Sequence, residues 1–186
     1  MHPRLLTIPA IVMLGSSARI DGLAQSDPGT GPAPLAGVGT VELLRRYDPV
    51  TDSWSPTTLV DAPSLRWFHV AVWTGDEMLV HGGTPDVTAG GRYDPASDTW
   101  TATSPVNSAN NGQGITAVWT GTEMIVWGGL DDDFVFHFDG GRYDPALDAW
   151  LKTGTMNVPT ARGLHEAVWT GGEMFVWGGY SHGYPN

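Results

Sequence analysis

Cysteine is absent from the 186-residue chain. Its absence excludes disulfide bonds, thiolate metal sites and cysteine nucleophiles. Lysine occurs once, as Lys152, and the formal net charge is −11. A chain of this charge lacks the basic surface with which proteins bind nucleic acid or anionic lipid. The acidity is compatible with cationic partners, but a solvated acidic surface is the simpler interpretation.

Motifs that mark several enzyme classes are also missing. The chain has no glycine-rich phosphate loop, no HExxH zinc motif and no nucleophile elbow. We therefore predict no catalytic residue, no metal site and no cofactor.

The first 24 residues have the layout of a secretory signal peptide. A basic start, Met1–Arg4, precedes the apolar run Leu5–Leu14, and small residues follow. This run is shorter than the ~20 residues of a transmembrane helix. We expect residues 1–24 to direct export to the periplasm or the outside of the cell, with no membrane insertion after cleavage. A disordered start is the alternative.

Residues 25–39 are rich in Gly, Pro, Ala and Ser, which predicts a linker without a fold of its own. Two patterns recur after it. AVWTG, followed each time by Gly-Gly, stands at Ala71–Gly75, Ala117–Gly121 and Ala167–Gly171. Tyr-Asp-Pro-x-x-Asp-x-Trp stands at Tyr47–Trp54, Tyr93–Trp100 and Tyr143–Trp150, at spacings of 46 and 50 residues. Self-similarity at such a period indicates a repeat architecture.

Each repeat predicts four short strands joined by turns. In one repeat they lie near Phe68–Trp73, at Met78–His81, before Tyr93 and from Asp98 onward. Equivalent strands are expected near 115–119, 124–128, 139–143 and 149–152, with pairs near 41–47 and 53–55 and near 164–169 and 174–178. About twelve strands predict an all-β domain over residues 40–186. A four-stranded sheet per repeat is typical of a β-propeller blade.

These repeats resemble the kelch family. The positions that carry the resemblance are Arg66, His69, Gly82, Gly83, Tyr93, Trp100, Gly128, Gly129, Tyr143, Trp150, Arg162, His165, Gly178 and Gly179. We interpret them as structural, since equivalent residues of stacked repeats do the same job in each unit. Asp98 and Asp148 are expected to bond turn amides. The resemblance implies a β-propeller of six or seven blades. Gly112 and Ile115 depart from it, because the neighbouring repeats have Arg and His there.

The twelve expected strands make three blades, whereas a typical closed propeller has at least four blades. The chain is therefore expected to be a segment of a longer protein, which we favour, or one half of a homodimeric ring.

A four-residue insertion gives one repeat a longer loop, Leu130–Asp139, between its second and third strands. Insertions in repeat proteins map to one face, often the binding face, and the linkers between repeats share that face. The candidate ligand-binding residues are Asp131, Asp132, Asp133, Phe134, Phe136, His137, Asn110 and Asn111. Consecutive carboxylates could hold a hard cation, but their spacing is wrong for a calcium loop, and a solvated acidic loop is favoured.

Together these features predict an exported module that binds or scaffolds a protein or a glycan. The alternative is part of a carbohydrate-active propeller enzyme whose site needs further blades. The sialic-acid mutarotases of the kelch type and the galactose-oxidase-like enzymes are the resembling groups. Because galactose-oxidase-like chemistry uses a cysteine-linked tyrosine, the absence of cysteine does not support it here.

Overall fold

A computed structural model of the chain describes residues 45–84, 90–109, 112–181 and 184–185. The predicted signal peptide and linker lie outside these residues. The described part of the chain contains strands and no helix, so the predicted all-β class is confirmed. Its strands are β1 Arg45–Asp48, β2 Ser53–Pro56, β3 Val70–Trp73, β4 Met78–His81, β5 Gly91–Asp94, β6 Thr99–Ala102, β7 Thr116–Trp119, β8 Met124–Trp127, β9 Gly140–Asp144, β10 Ala149–Lys152, β11 Glu166–Trp169, β12 Met174–Trp177, β13 Tyr180–Ser181 and β14 Tyr184–Pro185.

The strands form antiparallel sheets that follow the repeats. Strands β3-β4-β5-β6 and β7-β8-β9-β10 are four-stranded sheets in chain order, as predicted. Strands β1-β2 and β11-β12 form two-stranded sheets, and they correspond to the last two and the first two strands of a repeat. The small hairpin β13-β14 was not predicted. The described strands do not close into a barrel.

The turn between the first two strands of each repeat is built from Thr-Gly. In the first complete repeat, the Thr74 N–H donates to the Glu77 carbonyl at 3.0 Å, and the Thr74 hydroxyl accepts from the Glu77 N–H at 2.9 Å. Gly75 has a φ of 116°, a conformation that other residues rarely adopt. The same bonds recur around Thr120 and Thr170, which explains why Thr-Gly is repeated.

The two aspartates of the Tyr-Asp-Pro turn have different roles, and the prediction for the second one was wrong. The first aspartate bonds the turn amides: Asp94 Oδ1 accepts from the Ala96 N–H at 2.7 Å. The second, Asp98, instead accepts from the Tyr93 hydroxyl at 2.7 Å and from the Thr58 N–H, 40 residues earlier, at 3.0 Å. It therefore joins its own repeat to the preceding linker.

The main core lies between the two four-stranded sheets. Leu79 on β4 packs with Met124, Val126, Tyr143 and Trp150 of the next sheet, and all five are buried. The first strands of successive repeats are in contact with each other, β3 with β7 and β7 with β11. Each repeat thus covers one face of the next, as expected when stacked units bury a continuous core.

Candidate binding face

The loop Leu130–Asp139 is fixed to the sheet at both ends. At its start, Leu130 exchanges two backbone hydrogen bonds of 2.9 Å with Gln113. At its end, the His137 N–H donates to the Gly129 carbonyl at 2.9 Å, and the Gly128 N–H donates to the Asp139 carbonyl at 3.1 Å. The inserted loop is therefore a defined element of the structure.

The carboxylate of Asp131 organises the tip of this loop. Its Oδ1 accepts from the Asp133 N–H at 3.0 Å and from the Val135 N–H at 2.9 Å. The bond from Val135 is the largest cause that lowers the pKa of Asp131, and the contact with His137 lowers it further. Asp131 therefore has a structural role beside any role in binding.

His137 lies between two carboxylates. Its Nε2 is 3.3 Å from Asp131 Oδ2, and its Nδ1 is 3.5 Å from Asp139 Oδ1. The sequence singled out His137 and Asp131 as candidates but not Asp139, which enters the cluster through the end of the loop.

The consecutive carboxylates do not assemble a cation site. Asp131 is engaged by backbone amides, and Asp132 and Asp133 are exposed. In the part of the chain that the structure describes, no group of three or more His, Cys, Asp or Glu side chains could hold a metal ion. The solvated acidic loop stays a prediction.

Apolar side chains project from the loop into solvent. Phe134, Val135 and Phe138 are all exposed, and Phe134 has a φ of 60°, which is uncommon for a residue with a side chain. Phe136 is half-buried, and its ring lies beside Gly163. The sequence identified Phe134 and Phe136 as candidates but missed Val135 and Phe138. The sequence could not show which apolar residues of the loop are exposed, because this depends on the bridge between Leu130 and Phe136.

The loop and the linker that follows its sheet are joined by hydrogen bonds. The Arg162 N–H donates to the His137 carbonyl at 3.1 Å, and the Gly129 N–H donates to the Arg162 carbonyl at 2.8 Å. The loop thus shares its face with this linker. Of the other linker candidates, Asn110 and Asn111 lie outside the described residues.

The repeated arginines tie each linker to its own Gly-Gly pair. Nη1 of Arg66 donates to the Gly82 carbonyl at 3.1 Å, and Nη1 of Arg162 donates to the Gly178 carbonyl at 2.9 Å. Each Nε also donates to the carbonyl two residues earlier in the chain. These contacts favour the structural interpretation of both residues.

The second glycine of each pair permits a close backbone contact. A Cβ on Gly83 would lie 2.6 Å from the Trp67 carbonyl oxygen, and one on Gly179 would lie 2.6 Å from that of Gly163. Gly129 packs in the same way, with its φ of 87°. A side chain at any of these positions would separate the two segments.

The two motif histidines differ in environment. His165 is buried, its Nε2 lies 2.7 Å from Thr116 Oγ1, and its ring meets the Trp127 ring edge-on at 5.2 Å. Burial, reinforced by the Arg162 charge, lowers the pKa of His165 to about 4. His69 is exposed, because the described part of the repeat before it supplies only β1 and β2.

The Tyr and Trp positions pair in every repeat. The ring centroids of Tyr93 and Trp100 are 5.1 Å apart, and those of Tyr143 and Trp150 are 5.0 Å apart. The Trp150 indole N–H also donates to the Ser104 carbonyl at 3.0 Å. These residues hold the third and fourth strands against the preceding repeat.

The chain matches no family model and no curated protein. Among the residues that the structure describes, no helix is long and apolar enough to cross a membrane.

Proposed function

We propose that the repeats are blades of a kelch-like β-propeller and that the chain is an exported module that binds a protein partner. The support for the architecture is the repeated four-strand sheet, the contact between successive first strands and the motif contacts that join each repeat to the next.

The partner binds to the loop Leu130–Asp139. The observation that carries this proposal is the exposed apolar set Phe134, Val135 and Phe138 on a loop whose backbone is held by hydrogen bonds. A pre-ordered loop loses little conformational entropy on binding, and exposed aromatic residues are the usual anchors of interfaces.

The charge of the loop favours a peptide segment as the ligand. Asp132 and Asp133 are exposed beside the apolar set, and the whole chain carries a formal charge of −11. A partner segment that combines an apolar side chain with Lys or Arg would match both features. A neutral glycan would use the aromatic rings and could donate hydroxyl hydrogen bonds to the carboxylates, but it would gain nothing from their charge.

A selection from a random peptide display library tests this proposal. We expect the full chain to enrich peptides that contain apolar and basic residues, and the double substitution F134S/F138S to abolish that enrichment. L147S is the matched control, since Leu147 is an equally exposed apolar residue in the turn between β9 and β10. Peptides retained by F134S/F138S would refute the loop as the binding surface. A glycan-array signal lost in that variant would assign the loop to a glycan instead.

Export has its own test. A reporter fused to Met1–Gln25 is expected outside the cytoplasm, and a reporter that stays inside the cell would remove export from the proposal.

A further inference from the structure

Tyr and Trp residues that are buried in the complete sheets are exposed on β1 and β2. Tyr143 and Trp150 are 0% and 4% exposed, whereas their repeat equivalents Tyr47 and Trp54 are 46% and 63% exposed. The Tyr47–Trp54 ring pair nevertheless has the same geometry, with centroids 5.1 Å apart. The two rings are arranged as in the complete sheets, but among the described strands no sheet covers them.

The two-stranded sheet β11-β12 exposes a complementary apolar set. Trp177 on β12 is 81% exposed, whereas its equivalent Trp127 on β8 is 6% exposed. Phe175 is also exposed, while its equivalent Leu79 is fully buried against the following sheet. Large apolar residues exposed together on one sheet mark an interaction surface.

The edges of these two sheets match as well. In the complete sheets the second strand pairs antiparallel with the third, with Met78 opposite Tyr93 and Met124 opposite Tyr143. Strand β12 is a second strand and β1 is a third strand, and among the described strands neither has this neighbour. We propose that β12 pairs with β1 of a second copy of this chain, which gives a sheet of the order β11-β12-β1-β2 with Met174 opposite Tyr47 of the partner subunit.

Charge complementarity supports a second copy as the occupant. Each complete sheet has an ion pair between its second and third strands: Arg92 Nε lies 3.5 Å from Glu77 Oε2, and Arg142 Nη1 lies 3.6 Å from Glu123 Oε2. The equivalent residues are Arg46 on β1 and Glu173 directly before β12. Pairing of the two copies brings Glu173 to Arg46 of the partner subunit.

The proposed pairing also forms a second polar pair, at the first strand of the repeat. His165 bonds Thr116 on the first strand of the preceding repeat. The equivalent positions at the proposed junction hold His69 and Glu166, and both are exposed. An imidazole N–H donates to a carboxylate in either protonation state, so Glu166 suits His69 of the partner subunit.

The hydrogen bond between Asp148 and the preceding linker also has an equivalent at the proposed junction. Asp148 Oδ1 accepts from the Ser104 N–H of the preceding linker at 2.8 Å. The repeat equivalents are Asp52, which already accepts from the Tyr47 hydroxyl at 2.6 Å, and the backbone of Gly154. The Gly154 N–H would therefore donate to Asp52 of the partner subunit.

Two open apolar clefts receive the exposed side chains. One is lined by Ala71, Met78, Val80, Trp100 and His69 on the first complete sheet, and would take the partner's Phe175 and Trp177. The other is lined by Ile125, Trp127, Pro159, Met174 and Val176, and would take the partner's Tyr47 and Trp54. The contact between Trp127 and the partner's Trp54 has an equivalent within the chain. There the His81 ring packs against Trp150, with ring centroids 4.6 Å apart.

One position at the junction departs from the repeat. Arg45 stands where the complete sheets have Gly91 and Gly141. A Cβ on Gly141 would lie 3.0 Å from the Ala109 Cβ of the linker, and Pro159 is the residue equivalent to Ala109. The Arg45 side chain must therefore displace the linker of the partner, and R45G is expected to strengthen the pairing.

The contact joins two different surfaces, so it is heterologous. A heterologous contact gives a ring when its rotation closes and an open polymer when it does not. The described residues of each copy contain two complete sheets and the two half-sheets β1-β2 and β11-β12, apart from the small hairpin β13-β14, so two copies joined at both junctions pair all four half-sheets. The expected product is a head-to-tail dimer.

The mass of the full chain, measured by sedimentation equilibrium over a range of concentrations, tests the pairing. We expect a dimer for the wild type, an increase of about tenfold or more in its dissociation constant for R46E, and recovery when R46E and E173R are combined. E173R alone is expected to weaken the dimer as R46E does, and the exposed loop substitution D132R, which makes the same change of charge as E173R, is the charge-matched control. A wild type that stays monomeric at every concentration overturns the proposal, and so does an R46E variant that dimerises like the wild type.

Engineered cysteines identify the strands, because the native chain has none. A mixture of R46C and F175C chains is expected to form a disulfide between copies, since these positions are opposite one another in the proposed sheet. The mixture of R46C with L147C is expected to form none. A link between R46C and F175C in an open polymer would still support the strand pairing, and equal linking in both mixtures would overturn it.

Discussion

The Tyr143 hydroxyl donates a hydrogen bond of 2.7 Å to Asp148 Oδ1. The same oxygen accepts the Ser104 N–H, 44 residues earlier in the chain, at 2.8 Å. These two bonds lower the pKa of Asp148, with the bond from Tyr143 as the larger cause. One carboxylate thus links the turn of its own sheet to the linker that enters from the preceding repeat.

Removal of this carboxylate is expected to destabilise the fold. D148A leaves the buried Tyr143 hydroxyl and the Ser104 N–H without their acceptor, which should lower the free energy of unfolding by about 1–2 kcal/mol. Urea denaturation at pH 7 measures the change. D132A removes an exposed loop carboxylate and is expected to change stability by no more than about 0.5 kcal/mol. Equal effects of the two substitutions would contradict the role of Asp148.

The repeat pattern in the sequence predicted the strands well, because Thr-Gly and Asp-Pro turns are local. The four strands of each complete sheet lie within a few residues of their expected positions. The role of Asp148 was not predictable in the same way, since its partner Ser104 is distant in sequence. His69 and His165 have the same local motif and opposite exposure, because the neighbouring sheet decides their burial.

Gly112 is expected to be indispensable in the middle repeat. It replaces the arginine of its neighbours, and a Cβ at this position would overlap the Leu130 carbonyl. Because that carbonyl accepts the Gln113 N–H, the start of the long loop would have to move. G112A should therefore lower the free energy of unfolding by about 2 kcal/mol or more. The matched control is G172A, since a Cβ there meets nothing within 4 Å. Similar urea midpoints for the two variants would refute this account.

The order of the loop tip is expected to depend on Asp131. Its Oδ1 holds the Asp133 and Val135 amides, so D131A should speed hydrogen exchange at these amides by about tenfold, equivalent to ~1.4 kcal/mol of lost local protection. Exchange measured by NMR on the full chain gives the rates. D132A should leave them unchanged, and unchanged rates in D131A as well would show that the backbone bonds at Gln113 and Gly129 suffice to order the tip.

His165 is expected to make stability depend on pH in a narrow window. Burial lowers its pKa from 6.5 to about 4, so the unfolded chain binds this proton before the folded chain does as pH falls. Its neutral form is fully compatible with the fold above about pH 6.5, and stability should decline between pH 6.5 and 4. The decline amounts to at most about 3–4 kcal/mol.

H165Q removes the titrating group while keeping a polar side chain next to Thr116, so it isolates this effect. The free energy of unfolding, measured by urea denaturation from pH 8 to pH 4, should differ between wild type and H165Q by a constant amount above pH 7. Below pH 6.5 the difference should shrink, because only in the wild type does the unfolded chain take up a proton that the buried imidazole of the folded state does not bind. Parallel curves over the whole range would contradict this prediction, since they would mean that the folded protein accommodates the charged imidazole. The packing of His165 against Trp127 would then have to open at low pH.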